Sequence, residues 1–467
     1  MPTTPMNARL FASVVVVMIS GCAVGPNYHK PEVEVPAAWK EAADWKIAEP
    51  KDAVPKGKWW EVFQDPILNG LMEQVTVSNQ GLRAAEARYS RARAQVAVAR
   101  AGLFPTLGAG ADASRARRGS AGSASSYSVS IDARWEIDLW GRIRRTIEAA
   151  GASAEASAAD LEAVRLLLQA EAATNYFQLR VADVTRELLD DAAKNFERSF
   201  QLTQNRYNAG VAAKADVVQA EAQLRSTQAQ AIDIRSTRAA LEHAIAVLVG
   251  KPPSALTLEP TPFHVRLPEI PPGVPSTLLE RRPDVAAAER RAAAANANIG
   301  VAQAAYFPAI DLTGSAGFAS STLAHLFSAP NRAWSVGAAL AGTLLDFGAR
   351  AGQVGAAQAS YDETVANYRQ TVLESFQEIE DNLAALHWLA EEAKVQQEAA
   401  RAARESVVLT VNQYKAGTVS YLNVVQVQNT QLGEERTTVN LIGRRLAATV
   451  GLIRALGGSW GQTTRSE

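Results

Sequence analysis

The sequence predicts a mainly α chain whose β portion closes into a barrel only together with copies of itself, and three observations predict it. First, the second half repeats the first at an offset of 207 residues: Trp140-Gly141 returns as Phe347-Gly348, Tyr207 and Ala209-Gly210 as Tyr414 and Ala416-Gly417, and Val217-Val218-Gln219 as Val424-Val425-Gln426. Second, each copy holds two segments in which apolar and polar residues alternate. Third, each copy then continues in a helical pattern far longer than a globular domain needs. A unit with so many helical faces and so few strands cannot enclose a core alone, so the repeat implies assembly around an axis.

The chain opens with Leu10 to Ile19, ten apolar residues preceded by Arg9 and followed by Ser20-Gly21-Cys22. Ten residues fall short of the roughly 20 that a spanning helix needs, so residues 1–21 read as a secretory signal. Ile19-Ser20-Gly21-Cys22 resembles a bacterial lipobox, which makes Cys22 the acylated first residue of the mature chain. Ala23 after it is not an Asp, which argues against retention in the inner membrane. The single Cys excludes an internal disulfide and any CxxC metal or redox site. Residues 22–64 form a leader with Gly25, Pro26, Tyr28, Pro31, Pro36 and Trp39, read as an extended surface segment. No other run approaches 18 apolar residues, so any second membrane contact falls to β-strands.

Repeat 1 occupies residues 65–250. Asp65-Pro66 reads as an N-cap and first-turn pair, and the helix it opens runs to Gly102 and stops at Phe104-Pro105. A hairpin follows over about 104–140, with a weak first strand from Thr106 to Ser114. From Tyr127 the odd positions read Tyr127, Val129, Ile131, Ala133, Trp135, Ile137 and Leu139, against Ser128, Ser130, Asp132, Arg134, Glu136 and Asp138. That is period two, with one apolar and one polar face. A long helical hairpin over 142–249 completes the copy. Residues 251–276 are a linker, with eight prolines between 251 and 275. Repeat 2, residues 277–457, opens a helix at Arg282-Pro283-Asp284 that stops at Phe307-Pro308. Its hairpin over about 308–347 carries Ile310, Leu312, Ala316 and Phe318 on one strand. On the other, Trp334, Val336, Ala338, Leu340 and Leu344 face one way. Its helical hairpin spans 349–456, and residues 458–467 are a tail.

The strands have the 9 to 11 residues of a tilted transmembrane strand. The helices, from about Arg142 to Asn208 and from about Ala349 to Lys415, reach roughly 100 Å at 1.5 Å per residue. In the second, Val372, Phe376, Ile379, Leu383, Leu386 and Ala390 form a heptad seam, with a coiled-coil partner after the turn at Ala416-Gly417. Beside it lie Glu374, Glu378, Glu380 and Asp381, either a solvated face or the lining of a lumen. Four strands cannot close a barrel, and the interior of an eight-stranded one is filled by side chains, so three chains and twelve strands give the smallest count with a lumen.

Together, Gly25-Pro26-Asn27-Tyr28, the run from Trp59-Trp60 to Asp65-Pro66-Ile67-Leu68-Asn69, Glu280-Arg281-Arg282-Pro283-Asp284-Val285 and the two Tyr-x-Ala-Gly tips resemble the outer-membrane factor (TolC-type) family, in its lipoprotein branch. The resemblance implies a homotrimer, with a twelve-stranded transmembrane barrel in the outer membrane, a long periplasmic α-barrel, and an equatorial domain built from the linker and termini. It implies an exit duct of a tripartite efflux system, with a periplasmic adaptor (membrane fusion) protein and an inner-membrane pump of the RND type as partners. The tips Ala209-Gly210-Val211 and Ala416-Gly417-Thr418 match the family's adaptor-docking motifs. The family's tip lock maps to Asp216 and Tyr414, while Val419 stands where the family has a basic residue. Where relatives ring the aperture with carboxylates this chain has Asn423 and Gln426, with Leu422 beside them, so the periplasmic gate is expected to rest on apolar and amide contacts.

A net charge of −1 gives no reason to expect a nucleic-acid partner. The five His residues are scattered, and there is no HExxH, GxSxG or GxxxxGK[ST]. No enzymatic activity, cofactor or metal is therefore expected. The competing reading is a structural coiled-coil envelope lipoprotein or adhesin, which explains the helices but leaves the alternating strands without a purpose.

Overall fold

The computed structural model describes residues 23–33, 57–117, 122–261, 263, 268 and 282–458. The signal segment, Cys22, Pro36, Trp39, most of the linker and the tail lie outside them. Helices α1 (Pro66–Ser78) and α2 (Gln80–Ala101) lead into strands β1 (Thr106–Arg117) and β2 (Ser123–Ile137), then α3 (Arg142–Asn208) and α4 (Lys214–Leu248). The second copy runs α5 (Pro283–Ala304), β3 (Ala309–Ser320), β4 (Arg332–Ala341), α6 (Ala349–Lys415) and α7 (Tyr421–Ala455). The long helices match in length between copies, 67 residues for α3 and α6 and 35 for α4 and α7.

Asp65 is the N-cap of α1, accepting from the Ile67 and Leu68 amides, and Pro66 at the first position needs no donor there. The Tyr176 hydroxyl donates to the other Asp65 oxygen at 2.5 Å. One helix was expected to run from here to Gly102, but Asn79 breaks it with an extended ψ of 126°. The side chain of Asn79 supplies the reason. It accepts from the Leu82 amide as an N-cap for α2 and donates to the Leu248 carbonyl at the end of α4.

The described residues divide into two compact units, each drawing on both repeats. One lies within residues 1–33, 87–159 and 286–371 and holds the sheet. The other lies within 34–86, 160–285 and 372–467. Its main core gathers Trp59, Trp60, Phe63, Leu68, Met72, Tyr176, Phe177, Ile245 and Ile453. The Trp-Trp run thus earns its place by packing, with Phe63 and Phe177 rings 4.8 Å apart. A buried ion cluster pins the linker here. Arg180 pairs with Asp183 and donates to the Glu259 carbonyl, while Arg238 pairs with Asp183 and Glu242 and reaches the Leu258 carbonyl. The linker, expected to lack regular structure, also makes a single 3-10 turn at Pro253–Ala255.

The predicted seam of α6 is buried at Val372, Phe376 and Ile379, continues with Leu386 packed against the cluster shared with α7, and has drifted by Ala390. Leu389 and Ala393, rather than Ala390, pack on Leu441 and Ala448 of α7, because a straight helix of 3.6 residues per turn moves off a strict heptad. The acidic face beside it is engaged at Glu378, which neutralises Arg282 at the start of α5 and Arg454 near the end of α7. Glu378 is therefore neither a solvated nor a lumen-lining charge within this chain. It and Asp284 make Arg282-Pro283-Asp284 a clamp, completed by the bond from Arg282 to the Ala455 carbonyl.

Candidate functional site: the strand face and the hairpin tips

The four strands form one antiparallel sheet in the order β1-β2-β3-β4. The register sets Ile131 opposite Ala109 and Ala316, and Ala316 opposite Trp334. It sets Trp135 opposite Leu312, and Leu312 opposite Ala338. Period two then places Leu107, Ala109, Val129, Ile131, Trp135, Leu312, Phe318, Trp334, Val336 and Leu340 on a single continuous apolar face. Asp112, Ser130, Asp132, Arg134, Asp311, Thr313 and Ser335 share the other, where Arg134 pairs with Asp311 at 3.2 Å. Much of the apolar face is bare within the chain, with Trp334 79% and Val336 81% exposed, while Phe318 stacks edge-on against Phe327. A patch this continuous on a monomer marks contact with a partner or a membrane. The expected β4 face ran to Leu344, but the strand ends at Ala341. Gly342 turns the chain there against Pro308, and Asp346 caps the start of α6 by accepting from the Gly348 and Arg350 amides.

The described part of the leader, residues 23–33, runs without regular structure and with Pro26, Asn27, His29, Lys30 and Glu32 exposed, and its stretch from Ala23 to Tyr28 is strapped onto the sheet-bearing unit. The Val24 amide donates to the Trp140 carbonyl. Arg145, itself buried, donates to the carbonyls of Val24 and Gly25 and to Asn27 Oδ1. Asn296 donates to the Pro26 carbonyl, and the Tyr28 hydroxyl donates to Glu289 Oε1 at 2.7 Å. Burial, with the Glu289 carboxylate beside it, pushes the Tyr28 hydroxyl far above its ordinary value. Gly25 at φ +104° lies so close to Gly300 that a Cβ on it would come within 2.4 Å of the Gly300 Cα.

At the far end of α3, Gly210 at φ +75° caps the helix, its amide and that of Val211 donating to the carbonyls of Tyr207 and Arg206. Gly417 at φ +77° does the same for α6, with Thr418 bonding to Gln413. All six predicted docking residues, Ala209, Gly210, Val211, Ala416, Gly417 and Thr418, are exposed, and a Cβ on either glycine would meet nothing within 4 Å. Of the predicted gate residues, Leu422, Asn423 and Gln426 are exposed along one side of α7, with Leu422 and Gln426 one turn apart. Asp216 is half-buried, and Tyr414 is buried in a cluster with Tyr421, Val424 and Val425. Asp216 and Tyr414 form no hydrogen bond within the chain. The Tyr414 and Tyr421 hydroxyls and Arg206 Nε are buried without a hydrogen-bond partner among the described residues. Arg206 was not singled out in the sequence, where it is one basic residue in a polar turn.

An exposed apolar strand face and long hairpins capped by exposed tips are the features of an outer-membrane channel protomer. The family model for Outer membrane efflux protein matches residues 71–251 and 274–458, and the chain belongs to that family. It is 30% identical to the probable efflux pump outer membrane protein TtgC of Pseudomonas putida, over 98% of this chain and 97% of that one. Outer membrane protein OprJ of Pseudomonas aeruginosa is 32% identical, over 96% and 95%. Among solved structures, the outer-membrane channel OprN superposes with a TM-score of 0.85 at 32% identity, over 94% of this chain and 100% of that one. The protein is accordingly an outer-membrane efflux component with the mainly α, TolC-type fold, and its family is one of transport proteins.

Proposed function

We propose that three copies close their sheets into a twelve-stranded barrel and their helical hairpins into a periplasmic tunnel, forming the exit duct of a tripartite pump for drugs or other small molecules. The observation that carries this reading is the continuous apolar face fixed by the strand register, with a polar face on its reverse that would line the lumen. Among the described residues, edge strands β1 and β4 have one neighbour each, and open edges are not tolerated in lipid, so each is to pair with the next copy. Cys22 carries acyl chains that anchor the mature N-terminus, and the leader and linker form the equatorial part. A periplasmic adaptor docks at Ala209-Gly210-Val211 and Ala416-Gly417-Thr418, connecting to an inner-membrane pump of the RND type. Asp216 and Tyr414 of adjoining tips lock the aperture, and Leu422, Asn423 and Gln426 narrow it. A coiled-coil envelope lipoprotein has no use for the apolar sheet face.

The test compares Ile131→Arg with Ser130→Arg. The first puts a charge on the lipid face at an expected cost of about 2–4 kcal/mol near the midplane, the second puts one in the lumen at little cost. Heat-modifiable trimers on gels and single-channel conductance report the outcome. Equal tolerance of both variants sinks the reading.

A further inference from the structure

The two tips carry matched residues in unlike surroundings. At the repeat offset, Tyr207 corresponds to Tyr414, Lys214 to Tyr421 and Arg206 to Gln413. In the first hairpin, Tyr207 is 39% exposed, with the Lys214 ammonium over its ring at 5.4 Å. In the second, Tyr414 and Tyr421 are 4% and 1% exposed, with ring centroids 5.5 Å apart. An apolar cluster with Ala220, Val424 and Val425 buries both rings, and one charged side chain adds a contact that the first tip lacks. Arg206, in the last turn of α3, crosses to the other hairpin. Its guanidinium carbon stands 4.7 Å from the Tyr414 ring centroid, and Nη1 donates to the Tyr414 carbonyl at 3.2 Å. That carbonyl belongs to the final turn of α6, where it also accepts from the Gly417 amide and the helix dipole favours a cation. Gln413, at the matching place in the other hairpin, can offer no such charge. Near the tip the other bonds joining the hairpins are neutral amide and hydroxyl pairs, Gln223 with Asn429 and Gln428 with Ser199.

We infer that Arg206 is the positioning residue of the gate: it latches the α6–α7 tip against the end of α3 within each copy, and holds Tyr414 where the lock between copies needs it. This rests on the gating role proposed above. The latch explains an arrangement that is otherwise costly, since it keeps the Tyr414 and Tyr421 hydroxyls buried without partners. It is built to break, because the groups it covers gain water when the tip swings away.

The experiment measures open-channel time in planar bilayers for wild type, Arg206→Gln, Arg206→Lys, Tyr421→Lys and Asp216→Ala. Replacing Arg206 by Gln removes the cation–π contact and the charged bond, and open time is expected to rise roughly tenfold. Arg206→Lys keeps the charge and should fall between, while Tyr421→Lys, which installs the first hairpin's residue and repels Arg206, should open as fully as Arg206→Gln. Heat-modifiable trimers should survive in all five, which separates a gating effect from misfolding. If Asp216→Ala opens the channel and Arg206→Gln does not, the latch is wrong and the gating role stands. If no variant conducts, Asp216→Ala included, the proposed duct itself falls. Equal opening in Arg206→Lys and Arg206→Gln would show that charge plays no part, and would overturn the inference as stated.

Discussion

The half-length helices of the two repeats end in the same Phe-Pro pair, at 104–105 and 307–308, yet α5 is buried and α2 is bare. In α5, Ala287, Ala292 and Ala297 are fully buried and Asn296 nearly so, while in α2 only Leu82 and Ala85 are buried. The leader makes part of this difference, since its residues 24–28 lie against Asn296, Gly300 and Glu289 of α5. Among the described residues, no residue of α2 beyond Ala85 is buried, although its sequence is rich in the same small residues, with five arginines against the single acid Glu86. Two copies of one pattern thus meet two fates. One is finished by its own chain, and in the proposed ring the other is finished by the next copy.

Matched substitutions at the Phe-Pro offset of 203 residues test this, beginning with the largest effect. Gly300→Val sets a branched side chain into the Val24 carbonyl and Arg145, expelling the leader and leaving a buried guanidinium short of acceptors. The expected loss is about 3–5 kcal/mol. Ala97→Val, its exposed counterpart, should stay within about 0.5 kcal/mol. Chemical denaturation of the detergent-solubilised protein measures both, and similar losses at the two sites would erase the contrast between the helices. Next, Ala297→Leu overpacks a fully buried site and should lose about 1–3 kcal/mol. Ala94→Leu should leave the unfolding of the chain unchanged while lowering the temperature at which trimers separate on a gel. A trimer indifferent to Ala94→Leu means that α2 meets no neighbour.

The smallest effect moves the comparison to the tips. Burial foremost, with Tyr414 and the Asp216 carboxylate adding to it, pushes the Tyr421 hydroxyl up to about 12. The ordinary value is about 10, so folding favours the neutral phenol, and this contribution is intact below about pH 10 and lost as the pH climbs to 12. Tyr421→Phe should flatten that alkaline decline and, near neutrality, raise stability slightly, since it removes a buried hydroxyl that has no partner among the described residues. A wild-type decline that persists in the variant assigns it to another group.

Periodicity made the strands and the long helices legible, because each is a local pattern of one face against water, lipid or core. The ends of the long helices could be read for the same reason, since Gly210 and Gly417 terminate them by backbone conformation alone. Elements decided by distant partners were not legible. The break at Asn79 depends on the Leu248 carbonyl, 169 residues away, and the docking of the leader depends on Arg145 and Asn296. The Tyr28 of the Gly-Pro-Asn-Tyr run offered one signal, since a Tyr in a leader gains most from a buried acceptor. At the tips, the docking and gate positions came from resemblance. Arg206 escaped because its significance lies in a contact that no spacing within α3 announces.

The equal lengths of α3 and α6 bear on how such a chain can change over generations. One residue inserted in α3 between Asp183 and Arg206 advances its tip by 1.5 Å and turns it by about 100°, which carries Arg206 off the Tyr414 ring while α6 stays in place. The same insertion in both helices keeps them in step. The gene is therefore expected to tolerate deletions and duplications in its helical segments chiefly as coordinated pairs, so that the memory of its ancient doubling is kept in its spacing long after most of its letters have diverged.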